Sequence, residues 1–252
     1  MCQKFTFRDE RGDAVMMVGL QITIQAEVFS ILIVTTVILA LIYAINRAVK
    51  KADPLQKPKG LVLLGVLYVQ MMSSITQGNM GGKVAHVYAP YIGSLALYLF
   101  ISNISGLFGL APPTANSSVT LTLTLITFVM IQRTVYMTGG LKQFFHRFIE
   151  PYPPFIIMNI FGVFAPLISM SLRLFGNITS GGIIMALVYV FTGYLSAALI
   201  GFIPGLAQVN FLGPLIAPAL HAYFDLFVGF IQMFVFISLT TVFIGIELPA
   251  EE

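Results

Sequence analysis

Between Pro151 and Ile246 the chain carries only two formally charged side chains, Arg173 and Asp225. A stretch that long and that poor in charge offers water almost nothing to solvate. It belongs in a bilayer, where about 20 apolar residues in a helix cross the hydrocarbon. The whole chain follows the same pattern, 58% hydrophobic and 9% charged, against roughly 25% charged in soluble domains. A charge at the bilayer centre costs about 2.5–3.5 kcal/mol on insertion scales, so an ionisable residue there is a functional candidate by default. One cation and one anion in such surroundings point to a path for ions.

Several classes of function are excluded early. The net charge is +3, with no basic patch interleaved with aromatics, so no nucleic acid partner is expected. Cys2 is the only cysteine, which rules out an intrachain disulfide and a multi-cysteine metal site. His86, His146 and His221 lie far apart without ligand spacing, so neither a metal nor another cofactor is expected. Gly78–Val84 superficially resembles a phosphate loop. Its glycine spacing is one short, and Val84 stands where a hydroxyl would hold magnesium, so no nucleotide site is expected. The first residues mix Lys4, Arg8 and Arg11 with Asp9, Glu10 and Asp13, and no small-residue cleavage site follows the first apolar run. The first span is therefore expected to be an uncleaved anchor.

Charge and hydropathy divide the chain, expected to be a single membrane domain over 1–252. Residues 1–25 form an external segment and 26–45 the first span. The loop 46–60 carries Arg47, Lys50, Lys51, Lys57 and Lys59 against Asp53, the signature of a cytoplasmic loop. Residues 61–84 begin apolar and turn polar and glycine-rich, which fits an interfacial or re-entrant segment. Residues 88–132 hold two spans joined at Pro112–Asn116. The loop 133–150 is again basic, with Arg133, Lys142 and Arg147 against Glu150. A long helical hairpin fills 151–246, and 247–252 is an acidic tail. Pro153–Phe191 alone would reach about 58 Å as a helix, nearly twice the ~30 Å of hydrocarbon, so the last two helices must tilt strongly. Gly193, Gly201, Pro204 and Gly205 supply the reversal between them. The expected fold is an all-α integral membrane protein with about five crossings plus one interfacial or re-entrant segment. Its N-terminus lies outside and its C-terminus in the cytoplasm. No internal repeat is visible, which argues against a transporter built from inverted halves.

Helical spacing collects the polar residues of the hairpin. Ser169, Arg173 and Asn177 are four apart and share a face, with Ser180 on the same side. Gly176, Gly181 and Gly182 remove bulk, so another helix can approach. On the second helix His221, Asp225, Gly229 and Gln232 fall at i, i+4, i+8 and i+11 and also share a face. Two readings follow for the charges: an ion pair pinning two helices, or two stations of an ion path. Arginine keeps its charge in nearly any setting, so Arg173 suits a fixed cation and Asp225 a titrating relay.

Ser-Leu-Arg-Leu-Phe-Gly-Asn at Ser171–Asn177, followed by the Ser-Gly-Gly of Ser180–Gly182, resembles the signature of subunit a of F-type ATP synthases. Asp-Leu-Phe-Val-Gly-Phe-Ile-Gln-Met-Phe-Val-Phe at Asp225–Phe236 is similar to that family's last helix, and Pro113–Thr122 and Asn103 also match. The resemblance covers nearly the whole chain and is weakest over residues 1–25. It implies a membrane stator beside a ring of c subunits, with Arg173 as the essential arginine between two aqueous half-channels. It also implies b subunits of the peripheral stalk and membrane lipid as partners, and H⁺ or Na⁺ as the transported ion. Asn177 matches the polar residue one turn on, and Gln232 the glutamine near the arginine. Asp225 occupies the outer half-channel position where relatives carry Glu or His. Ser169, Asn159 and Asn103 match channel-lining positions, and His221 is a candidate assistant. One departure stands out: Gly182 replaces the ionisable residue that relatives carry there. The implied location is a bacterial plasma (inner) membrane. A stand-alone ion channel or secondary transporter is the alternative, and copurification with a ring of small hairpin proteins would distinguish the two.

Overall fold

The structure is a computed structural model that describes residues 7–8, 14–15, 26–53, 56–149, 152–200 and 209–248. It is helical almost throughout, as expected. The other regular element among the described residues is a two-residue antiparallel pair, Phe7–Arg8 with Ala14–Val15. Among the described residues six helices are long and apolar enough to cross a membrane.

Helix α1 spans Ala26–Lys51 and ends on Lys50 and Lys51, cations that suit the negative end of a helix dipole. Ser30, Val34 and Ile38, four apart, are its buried residues, while Phe29, Leu32, Leu39 and Tyr43 are exposed. Exposed large apolar side chains recur on every crossing helix. For a chain in water that would be anomalous; in a bilayer it is the outer surface.

Helix α2 (Leu61–Met80) and helix α3 (Gly82–Ile104) are separated by Gly81 alone. Gly81 has φ +75°, a conformation that glycine adopts without steric cost. The two helices fold back on each other: Gly93 packs against Tyr68 and Met72, and the Tyr68 hydroxyl donates to the Gly93 carbonyl. The stretch expected to be interfacial or re-entrant is a continuous helix of 20 residues, apolar enough overall to enter a membrane. Its polar half does not break it, because Thr76 and Asn79 bond carbonyls one turn back, at Met72 and Ile75.

Two short 3₁₀ turns, Ser105–Phe108 and Pro113–Ala115, lead into α4 (Ser117–His146). The Asn116 side chain accepts from the Ser118 amide at 2.9 Å and so caps the start of α4. Threonine is a modest helix former, yet α4 is rich in it. Its hydroxyls at Thr122, Thr124, Thr127, Thr134 and Thr138 each donate to the carbonyl four residues back, which satisfies them inside apolar surroundings.

Helix α5 (Ile156–Ile200) has 45 residues, roughly 67 Å at 1.5 Å per residue. Gly193, assigned above to the reversal, lies inside it; Gly201, Pro204 and Gly205 fall outside the described residues. The last rod consists of α6 (Leu212–His221), a seven-residue π turn (Ala222–Val228) and α7 (Gly229–Ile246). The core lies where α2, α3, α5 and α7 meet: Met72, Ile92, Leu95, Ala96, Leu99, Met170, Leu174, Met233, Phe236 and Ile237.

Candidate functional site: a polar cavity between α3, α5 and the π turn

Helix α5 and the α6–α7 rod run antiparallel. Asn177 meets Gln232, Phe224 lies over Gly181, and Tyr189 meets His221. This pairing fixes the level of each charge. Asp225 lies level with the residues just past Gly181, about ten residues from Arg173 along α5, or roughly 15 Å. The ion-pair reading of the two charges therefore fails: a salt bridge needs about 4 Å. Among the described residues Arg173 makes no ion pair or hydrogen bond, and it lies on the exposed face of α5. Met170 and Leu174 beside it are buried in the core, so the arginine points outward from the bundle.

Asp225 has a different setting. Its Oδ2 accepts from His221 Nδ1 at 2.8 Å, and its side chain is 21% exposed. A Cβ added at Gly106 would lie 3.2 Å from the Asp225 carboxyl carbon. The absence of a side chain there is what lets the carboxylate settle against α3's extension. Asp225 sits within the π turn. Such turns widen the helix by one residue and are frequent at functional sites. The turn also changes the spacing argument. A cavity is lined by Asp225, Val228, Gly229 and Gln232 but not by His221, which faces Tyr189 instead.

The cavity measures about 40 Å³ in terms of water centres. One water needs roughly 10–15 Å³ by that measure, so about three fit. Asn103, Asn177 and Gly182 complete the polar and open part of its wall. Asn103 is 4% exposed; its Nδ2 donates to the Gly229 carbonyl at 3.0 Å and its Oδ1 accepts from the Thr114 hydroxyl at 3.0 Å. Asn177 Nδ2 donates to Gln232 Oε1. Gln232 is 3% exposed, and its Nε2 has no hydrogen-bond partner among the described residues. An unpaired buried donor costs about 1–3 kcal/mol, so this one is held ready for an acceptor such as water. No atom lies within 4 Å of a Cβ added at Gly182; the missing ionisable side chain leaves open space.

The cavity thus gathers Asn103, Asn177, Asp225 and Gln232, with His221 one bond away. Ser169 lies on the exposed side of α5, beyond the cavity. Asn159 donates to the Phe148 carbonyl at 3.0 Å, just past the end of α4, and does not line the cavity. Tyr189 and Gly106 were not singled out in the sequence, and Thr114 entered only within the Pro113–Thr122 match. Thr114 and Gly106 lie in the connection between α3 and α4, and only the fold brings them to Asp225 and Asn103.

A bundle of apolar helices that collects one carboxylate and three amides around a small cavity defines an integral membrane protein with a polar site inside the bundle. The sequence pattern of the ATP synthase A chain family matches residues 28–245, and the chain belongs to that family, the subunit a of the membrane Fo sector. It is 34% identical over 228 residues to ATP synthase subunit a of Mycoplasma pneumoniae, covering 85% of this chain and 76% of that one. Against that of Mycoplasmoides gallisepticum it is 33% identical over 241 residues, covering 90% and 80%. A sodium ion specific subunit a from Propionigenium modestum is 36% identical over 184 residues, covering 66% of this chain and 56% of that one.

Proposed function

We propose that the chain is the ion-translocating stator of a rotary ATP synthase. It provides two half-channels to a ring of carboxylate-bearing c subunits, with Arg173 fixed between them. The observation that carries this is Arg173 itself, an exposed cation without a partner among the described residues, on the outward, apolar face of α5. Left against lipid it would cost a few kcal/mol. A neighbouring surface that offers carboxylates removes that cost, and Gly176 beside it, with no atom within 4 Å of an added Cβ, leaves room for close approach. An opposite charge within ~4–6 Å lowers a carboxylate pKa by about 1–3 units. A ring carboxylate passing Arg173 would release its ion there. Asp225 and its cavity serve as the entry side, where the ring site is loaded.

Both basic loops, Asn46–Gly60 and Arg133–Glu150, face the cytoplasm in this reading. That parity requires α2 to fold back on α3 without completing a crossing, and their junction at Gly81 allows it. The reversal after α5 then lies outside, in a bacterial plasma membrane, and b subunits of the peripheral stalk hold the chain against rotation.

The test is ATP-driven acidification of inverted vesicles that contain the whole synthase. Arg173→Ala is expected to abolish it while the complex still assembles and hydrolyses ATP. Pumping at the wild-type rate in that variant would overturn the proposal.

A further inference from the structure

We infer that Arg147, Glu247 and Asn159 form a tether that holds the cytoplasmic arm of α5 against the bundle, and that this tether keeps ions from bypassing the ring beside Arg173. The inference rests on the stator reading and adds the residues that keep the ring-facing surface closed.

The arm is Ile156–Ser169, the part of α5 that precedes Arg173. None of its residues is buried; the first buried residue of α5 is Met170. Ile156, Ile157, Met158, Ile160 and Phe161 are all exposed, so the arm gains little from packing. It also has a weak point. Pro166 has no N–H to offer the Gly162 carbonyl one turn back, and no atom lies within 4 Å of a Cβ added at Gly162. The segment before that point is free to swing while Met170 and Leu174 stay in the core.

The arm is held from α4 and the chain just past it. Phe164 stacks on Phe128 of α4, with ring centroids 5.3 Å apart. Asn159 Nδ2 donates to the Phe148 carbonyl at 3.0 Å. Phe148 is fixed in turn through its neighbour Arg147, whose Cζ lies 5.9 Å from the Phe148 ring centre and whose Nη1 lies 3.5 Å from Glu247 Oε1. That Nη1 is buried and makes no hydrogen bond among the described residues, so the Glu247 carboxylate is what balances its charge. Glu247 stands on a firm post. It closes α7, where Ile244 is buried with Met80, Tyr88 and Ile131, and Leu248 packs against the same cluster. The line Glu247–Arg147–Phe148–Asn159 thus ties the end of α7 to the loosely packed start of α5.

In the proposed arrangement the ring slides along the exposed face of α5 that carries Arg173. Ser169 and Gly162, four and eleven residues earlier, are exposed on that same face, so the arm is part of the surface the ring meets. An arm that lifts opens a gap on the cytoplasmic side of Arg173. Water fills such a gap, and ions then cross between the half-channels without turning the ring. Losing a partly exposed ion pair shifts a local equilibrium of this kind by up to about fivefold.

The test uses the complete synthase in inverted vesicles and reads two quantities. One is ions pumped per ATP hydrolysed, as acidification or as ²²Na⁺ uptake; the other is the passive leak of the same ion. Glu247→Gln keeps the shape of the side chain and removes its charge. It should lower the pumping ratio and raise the leak, each by about two- to fivefold. Arg147→Gln should do the same, and the double variant no worse than either single one, as coupled partners require. Arg147→Lys should behave as wild type, because one nitrogen makes the contact. Asn159→Ala, at the other end of the line, should raise the leak without touching either charge. A purely structural loss would lower the amount of complex and leave the ratio unchanged. If the Arg147 variants are lost from the complex, Glu247→Gln and Asn159→Ala decide. Wild-type ratio and leak in both of these, or additive losses in the double variant, would overturn the inference. Arg173→Ala separates the two claims. If it stops pumping while the tether variants keep the wild-type ratio, the tether fails and the stator reading stands; wild-type pumping in Arg173→Ala brings down the stator reading itself.

Discussion

Replacing Gly229 with alanine tests the packing that holds the cavity together. A Cβ at Gly229 falls 2.9 Å from Asn103 Cβ, whereas carbon atoms prefer about 3.5–4.0 Å. Asn103 is 4% exposed and is held at both ends of its amide, so it has little room to yield. Overpacking of this kind costs about 1–3 kcal/mol. Each amide bond lost if Asn103 swings aside adds about 0.5–1.5 kcal/mol, and alanine's better helix propensity returns up to ~1 kcal/mol. The net expectation is a loss of about 1–4 kcal/mol. At roughly 2–4 °C per kcal/mol for a chain of this size, the melting temperature in detergent should fall by several degrees. Gly182→Ala is the matched control: it lines the same cavity but meets open space, so it should be neutral or stabilising by up to ~1 kcal/mol. The reasoning is refuted if Gly229→Ala melts at or above the wild-type temperature.

Two further outcomes follow from the same packing. Gly245→Ala would place a Cβ 2.0 Å from the Asn79 carbonyl oxygen, a backbone atom that cannot rotate away. That variant should be depleted from membranes on immunoblots, with wild-type abundance counting against the α2–α7 contact. Asn210→Ala removes the side chain that accepts from the Gly213 amide and the Ser196 hydroxyl and donates to Tyr189 and Thr192. Losing that cap and clamp should lower stability by about 1–2 kcal/mol, read as a lower melting temperature of an otherwise assembled chain.

Composition and charge spacing were enough to determine that the chain is a helical membrane protein, and the motif around Arg173 was enough for its family. Both are local properties. A run without charges states its own solvent, and residues four apart share a helix face whatever the rest of the chain does. Helix α2 is continuous although its second half is polar. Thr76 and Asn79 satisfy themselves on the carbonyls one turn back, an arrangement that hydropathy does not register.

The tertiary structure decided the rest. The spacing of His221, Asp225 and Gln232 assumed an unbroken α-helix; the π turn at Ala222–Val228 sends His221 toward Tyr189 and Gln232 toward Asn177. Whether Arg173 and Asp225 pair could not be read from two positions on two helices, because the answer depends on where the hairpin reverses and how the rods slide against each other. The antiparallel register set by Asn177–Gln232 and Tyr189–His221 separates them by roughly 15 Å. That separation leaves the arginine facing outward and the carboxylate facing an internal cavity. Thr114 and Gly106 reach the site from another loop, and a contact of that kind has no periodic trace in the sequence.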